Sequence, residues 1–187
     1  LWRRMVWKCG NDGFDFQSVR LGGIEPELHN VYQAAKAIAV GCCNITLADL
    51  ASPELVTDEA FHLITGALLI SVIRALTVSP DSEFVAIAPY FPEYLPFVES
   101  NGGKLVSVPA DLDTFQISLD ILEAHLTSHT QAVLVNSPNN PTGAVYSEQT
   151  LRALGELAVE HGFTIISDEI YEKMVYDGAE HISTASL

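Results

Sequence analysis

Two short polar stretches carry residue types that could do chemistry together. Asn139-Asn140-Pro141-Thr142-Gly143 follows the apolar run Ala132–Asn136, and Ser167-Asp168-Glu169-Ile170-Tyr171 follows the apolar run Phe163–Ser167. Both runs have the length and β-branched content of buried strands. In an open parallel α/β sheet, the groups that follow successive strands gather at one rim, outside the carboxyl ends. An amide, a carboxylate and a phenol are thereby brought to one place.

That set suits a protonated nitrogen heterocycle. A carboxylate at Asp168 aimed at a pyridine nitrogen keeps the nitrogen protonated, and the ring then accepts electrons from a carbanion. Tyr171 and Asn140 can offer their O–H and N–H groups to an oxygen on the same ring. Phe91, after the run Phe84–Ala88, can stack on the ring face. Thr65-Gly66-Ala67 reads as a turn ahead of an apolar helix, whose first free amides would cradle a phosphate. A ring with these needs is pyridoxal 5'-phosphate (PLP). Each residue also has an ordinary alternative. Asp168 could cap a turn, Tyr171 and Phe91 could be core aromatics, Asn140 could be a turn former, and a Gly before a helix is common. With Tyr171 three residues on, the ring outweighs the turn cap for Asp168, whereas a lone aromatic such as Phe91 is more often core and the Gly66 turn alone is a weak signal.

The elements that must position these groups are legible from residue 61 onward. Expected helices are Ala67–Thr77, Pro92–Ser100, Ser118 to about Leu126, and Ser147–His161 ended by Gly162. Expected strands are Phe84–Ala88, Lys104–Val108, Ala132–Asn136 and Phe163–Ser167, with a short extra one over Lys173–Tyr176. Alternating strands and amphipathic helices indicate an α/β fold: a mostly parallel sheet with helices on both faces. Residues 1–60 are poorly readable apart from Val31–Val40, which has helical composition. The domain reading is therefore 1–60 as an N-terminal segment and 61–187 as the ligand-bearing domain.

Composition narrows the partners. The chain has 187 residues, 48% of them hydrophobic, which suffices for one sizeable core. Its formal net charge of −15 argues against nucleic acid and anionic lipid as partners. Phe61–Val78 has only His62 and Arg74 as ionisable residues, but an internal arginine and Thr65-Gly66 point to a strand end, a turn and a buried helix rather than a membrane span. Cys9, Cys42 and Cys43 show no CxxC spacing, and the histidines no HExxH spacing. Neither a disulfide framework nor a metal site is expected, and a reducing cytoplasm fits best.

These residues resemble a known family, the fold-type I PLP-dependent aminotransferases of class I/II. AVLVNSPNNPTG (Ala132–Gly143) is similar to the family's cofactor loop, and ISDEIYEKMVYDG (Ile166–Gly178) to its aspartate–tyrosine segment. Pro89-Tyr90-Phe91-Pro92-Glu93-Tyr94 looks like the ring-stacking segment, and Thr65-Gly66-Ala67 like the phosphate turn. The resemblance covers roughly residues 61–187, part of a PLP-transferase large domain. It implies PLP as cofactor and amino-group transfer between an amino acid and a 2-oxo acid, in a homo-oligomer. It implies catalytic roles for Asp168 and Tyr171, with Phe91, Asn140 and the amides of Gly66, Ala67 and Leu68 also binding the cofactor. Family members carry a later Ser-x-Lys segment whose lysine holds the cofactor covalently. None of Lys8, Lys36, Lys104 and Lys173 matches it. The chain is accordingly expected to be a truncated member, with weak non-covalent PLP binding, negligible transamination and a tendency to self-associate. Two alternatives stay open: a non-catalytic α/β domain that binds a phosphate ligand or a partner protein, and a PLP-dependent lyase on the same fold.

Overall fold

The computed structural model describes residues 9–10, 13–14, 33, 36 and 57–187. Two compact units divide the chain, Leu1–Ser71 and Val72–Leu187. In the first, β1 (Cys9–Gly10) pairs antiparallel with β2 (Gly13–Phe14). Gln33 and Lys36 are helical, and the rest of the expected helix Val31–Val40 lies outside the described residues. Most of α1 (Asp58–Leu76) belongs to this unit as well.

The second unit holds the sheet. Its elements are β3 (Glu83–Ala88), α2 (Tyr94–Glu99), β4 (Lys104–Pro109), α3 (Leu119–His125), β5 (Thr130–Asn136), α4 (Glu148–His161) and β6 (Thr164–Asp168). All the pairings of this four-stranded sheet are parallel, in the order β4-β3-β5-β6. The chain steps outward from β3 to β4, then returns to the other side of β3 to lay down β5 and β6. The direction of winding therefore reverses between β3 and β5. A crevice is expected at the carboxyl ends of such a pair.

Strand periodicity decides which side chains meet which helices. Val85 and Ile87 of β3 point to the same face as Val133 and Val135 of β5, where Leu122 of α3 and Leu151, Leu154 and Ala158 of α4 complete one buried cluster. Each fully buried leucine there contributes about 1.5–3 kcal/mol of transfer free energy. Phe84, Ala86, Ala132 and Leu134 face the other way and are equally buried. Phe84 meets α2 on that side: a Cβ added at Gly103 would lie 3.0 Å from Phe84 Cε2 and 3.2 Å from Val98 Cγ1. With both faces covered, β3 and β5 read as continuous apolar runs, without the alternation of a half-exposed strand.

The helix ends follow local chemistry. Ser147 Oγ accepts from the Thr150 backbone N–H at 3.1 Å and caps α4, and Gly162 closes it in the left-handed conformation. Ser118 stands at the start of α3 but makes no side-chain cap bond.

Three expectations are corrected. The segment Phe61–Val78 is not a strand end and turn followed by a helix, because α1 runs unbroken through Gly66. One helical glycine costs about 1 kcal/mol, too little to interrupt a long helix rich in Ala, Leu and Ile. Thr65 also adapts to the helix, its hydroxyl donating to the Phe61 carbonyl at 3.0 Å. Nor is this apolar helix wholly buried: Ile64 and Ile73 are, but Leu63, Leu68 and Val72 are exposed. Finally, Lys173–Tyr176 forms no strand. Turn hydrogen bonds, from Glu172 N to Glu169 O and from Met174 N to Tyr171 O, fold the chain back on itself there.

Candidate functional site

The rim is built by three loops that follow β3, β5 and β6. Asp168 is the last residue of β6, one position earlier relative to the strand end than its sequence suggests, and it pairs in register with Asn136, the last residue of β5. Its main chain is thus part of the sheet while its carboxylate stands at the edge. The loop after β5 is shaped by its own side chains. Asn139 Oδ1 accepts from Thr142 N at 3.1 Å and from Thr142 Oγ1 at 2.8 Å, and Gly143 N donates to the Asn139 carbonyl at 2.7 Å. Gly143 sits at φ 74°, where any larger residue would be strained.

The loops meet through hydrogen bonds. Asn140 Nδ2 donates to the Tyr171 hydroxyl at 3.4 Å, so the expected pair from two separate motifs is brought together. The Asn140 backbone N–H donates to Asn136 Oδ1 at 2.6 Å, and Asn136 Nδ2 donates to the Asp168 carbonyl at 3.0 Å. On the far side, the Tyr94 hydroxyl donates to Asp168 Oδ2 at 2.7 Å. Tyr94, Asp168, Asn136, Asn140 and Tyr171 therefore form one continuous chain of contacts.

Tyr94 and Asn136 were not among the candidates from the sequence. Tyr94 lies only three residues past Phe91 and is almost fully buried. Burial, and then the negative charge of Asp168, push the Tyr94 phenol far above its ordinary value, so it stays a donor. Phe91 packs edge-on against Tyr94, with ring centroids 5.6 Å apart and planes at 82°. Asn136 gives no sequence signal beyond ending a strand.

A second cluster backs the β6 loop. Glu169 Oε1 accepts from Ser167 Oγ at 2.7 Å and from Thr184 N at 3.0 Å, and Glu169 Oε2 lies 3.3 Å from His181 Nε2. Burial alone would raise the Glu169 carboxyl, but hydrogen bonds from Ser167, Ser183, Thr184 and His181 outweigh it and hold the group below its ordinary range. These bonds fasten residues 181–184 to the segment that presents Asp168 and Tyr171.

Gly66, Ala67 and Leu68 do not form the expected cradle. All three lie inside α1, well past its first turn, so their amides serve the helix's own hydrogen bonds. Among the described residues, no helix is long and apolar enough to cross a membrane, and no group of three or more His, Cys, Asp or Glu is placed to hold a metal.

The chain has counterparts among known proteins. Residues 46–187 match the family model for aminotransferase class I and II. The chain belongs to the class I and II aminotransferase family. It is 46% identical over 113 residues to aromatic-amino-acid aminotransferase 2 of Thermococcus litoralis, a match covering 59% of this chain and 29% of that protein. It is 44% identical over 108 residues to the aspartate aminotransferase of Bacillus subtilis, covering 57% and 28%. The solved aromatic aminotransferase of Pyrococcus horikoshii superimposes with a TM-score of 0.64 at 30% identity, over 88% of this chain and 48% of that one. The chain spans about a third of the length of the curated relatives it matches.

The family's cofactor is PLP, and the rim fits it by the chemistry of its groups. Asp168 offers a carboxylate whose Oδ2 is fixed by Tyr94. Among the described residues, its Oδ1 has only a long contact from Ile170 N, at 3.4 Å. Asn140 and Tyr171 bring donor groups side by side.

Proposed function

We propose that this chain supplies the cofactor-facing rim of a PLP-dependent aminotransferase, which moves an amino group between an amino acid and a 2-oxo acid. The observation that carries the reading is the convergence of Asp168, Asn140 and Tyr171, from two separate motifs, onto one hydrogen-bonded rim at the carboxyl ends of the neighbouring strands β5 and β6. When bound, the cofactor supplies a protonated ring that accepts electrons from the amino acid's α-carbon.

The chain's own residues then have distinct tasks. Asp168 would hold the proton on the ring nitrogen through a charge-assisted hydrogen bond. Tyr94 fixes the direction of that carboxylate and, remaining protonated, adds no competing charge. Asn140 and Tyr171 would bind the ring oxygen. Phe91 would cover one face of the ring. The proposal extends to a cytoplasmic homo-oligomer. The odd cysteine count, without CxxC spacing, supports the compartment. The exposed apolar side chains Leu63, Leu68 and Val72 on α1 support association, which light scattering would read directly.

The test is a titration of the chain with PLP, followed by absorbance of the ring. Saturable binding that is weakened at least about tenfold in Asp168→Ala supports the reading, since a hydrogen bond to a charged group is worth about 1.5–3 kcal/mol. An unchanged titration in that variant, or no saturable binding by the parent chain, overturns it.

A further inference from the structure

The rim rests on a side chain that the functional reading leaves without a task. Asn136 is 3% exposed and uses both ends of its amide. Its Nδ2 donates to the Asp168 carbonyl at 3.0 Å, and its Oδ1 accepts from the Asn140 backbone N–H at 2.6 Å. The Ser137 backbone N–H donates to the same Asp168 carbonyl at 3.2 Å. One short planar group thus joins the end of β6 to the turn after β5.

We propose that Asn136 is a positioning residue, a clamp that sets the spacing between the Asp168 carboxylate and the Asn140–Tyr171 pair. Asp168 ends β6 and Tyr171 follows it in the same loop, whereas Asn140 stands on the loop after β5, so the spacing of the two sides has freedom unless a contact joins the two strand ends. A ring is held productively only if both sides are in place at once, and a misplacement of about 1 Å can cost on the order of a hundredfold in rate. The clamp removes that freedom in advance. Charged or shorter side chains do not serve as well. Asp retains the acceptor for Asn140 but turns a carboxylate oxygen toward the Asp168 carbonyl. Ser is too short to span both partners, and Ala supplies neither end.

The ligand side of this inference rests on the PLP reading above, whereas the clamp is a property of the free chain. The experiment therefore has two arms. In the first, amide hydrogen exchange is followed residue by residue by NMR without ligand. Asn136→Ala should speed exchange at Asn140 by about tenfold or more, the loss of one net hydrogen bond, whereas Asn136→Asp should leave that amide protected. Equal protection at Asn140 in the Ala variant overturns the clamp. In the second arm, pyridoxine 5'-phosphate, which cannot react with an amine, is titrated by calorimetry. Asn136→Ala and Asn136→Asp should both weaken it by about tenfold or more, and the loss should shrink in an Asp168→Ala background, because the positioned carboxylate is gone. An equal loss in both backgrounds means general destabilisation and overturns the positioning role. If the parent chain binds none of the probe, the PLP reading falls, and the exchange arm still decides the clamp.

Discussion

The loop after β5 and the middle of α1 present similar raw material: a glycine beside small polar residues, next to an apolar run. Only the loop makes a turn. Its glycine is held at φ 74° by a set of side-chain bonds from Asn139, Thr142 and Asn136. Around Gly66 the nearby hydroxyls bond back along the helix, Thr65 to the Phe61 carbonyl and Ser71 to the Ala67 carbonyl. A glycine permits a turn, but the polar side chains that compete for backbone groups compel it.

Four substitutions would break or sharpen that contrast. The largest effect should come from the scaffold beneath the loops. Leu154→Ala removes a fully buried side chain shared by α4 and the sheet and should lower stability by about 2–5 kcal/mol in a urea melt. A cost under 1 kcal/mol would mean that the loops do not rest on a tightly packed base. Next comes Asn139→Ala, which leaves the Thr142 amide and hydroxyl without their shared acceptor. A loss of about 1–3 kcal/mol is expected by the same assay, together with weaker PLP binding. Were the loop's glycine alone enough to set the turn, this variant would behave like the parent.

Gly66→Ala should act in the opposite direction. Inside a helix it should raise stability by about 0.5–1 kcal/mol. A destabilised variant would show that the segment turns at that point after all. The smallest effect is a change of slope with pH. The Glu169 carboxyl is depressed on folding, so its contribution is present above its ordinary value of 4.5 and is lost as pH falls through the lower folded value. Glu169→Gln should therefore flatten the acid limb of a stability–pH curve below that point. Parallel curves for the two proteins would remove Glu169 as the fastener of the β6 loop.

Much of the scaffold was legible because its signals are strong and local. β3 and β5 are continuous apolar runs, and α4 carries a leucine stripe between Ser147 and Gly162. Asn140, Asp168 and Tyr171 were legible because topology alone brings strand-following residues to one rim. Tyr94 and Asn136 were not. Their importance lies in which long-range partner they meet, Asp168 across many residues of sequence, and no local pattern encodes that. The extra strand over Lys173–Tyr176 was misread for a related reason. β-Forming residues make a strand only where a neighbour is available to pair with, and here consecutive turns are cheaper.

The placement of Asp168 has one further result. β6 is hydrogen-bonded only to β5 among the described strands, and the Asp168 carbonyl receives two bonds from the end of that neighbour. Fraying at this one seam would release the acidic group and slacken the opposite loop in the same event, while the leucines under α4 stayed packed. Ligand affinity would then fade with warming ahead of the global melt, set by the weakest lateral joint rather than by the strength of the core.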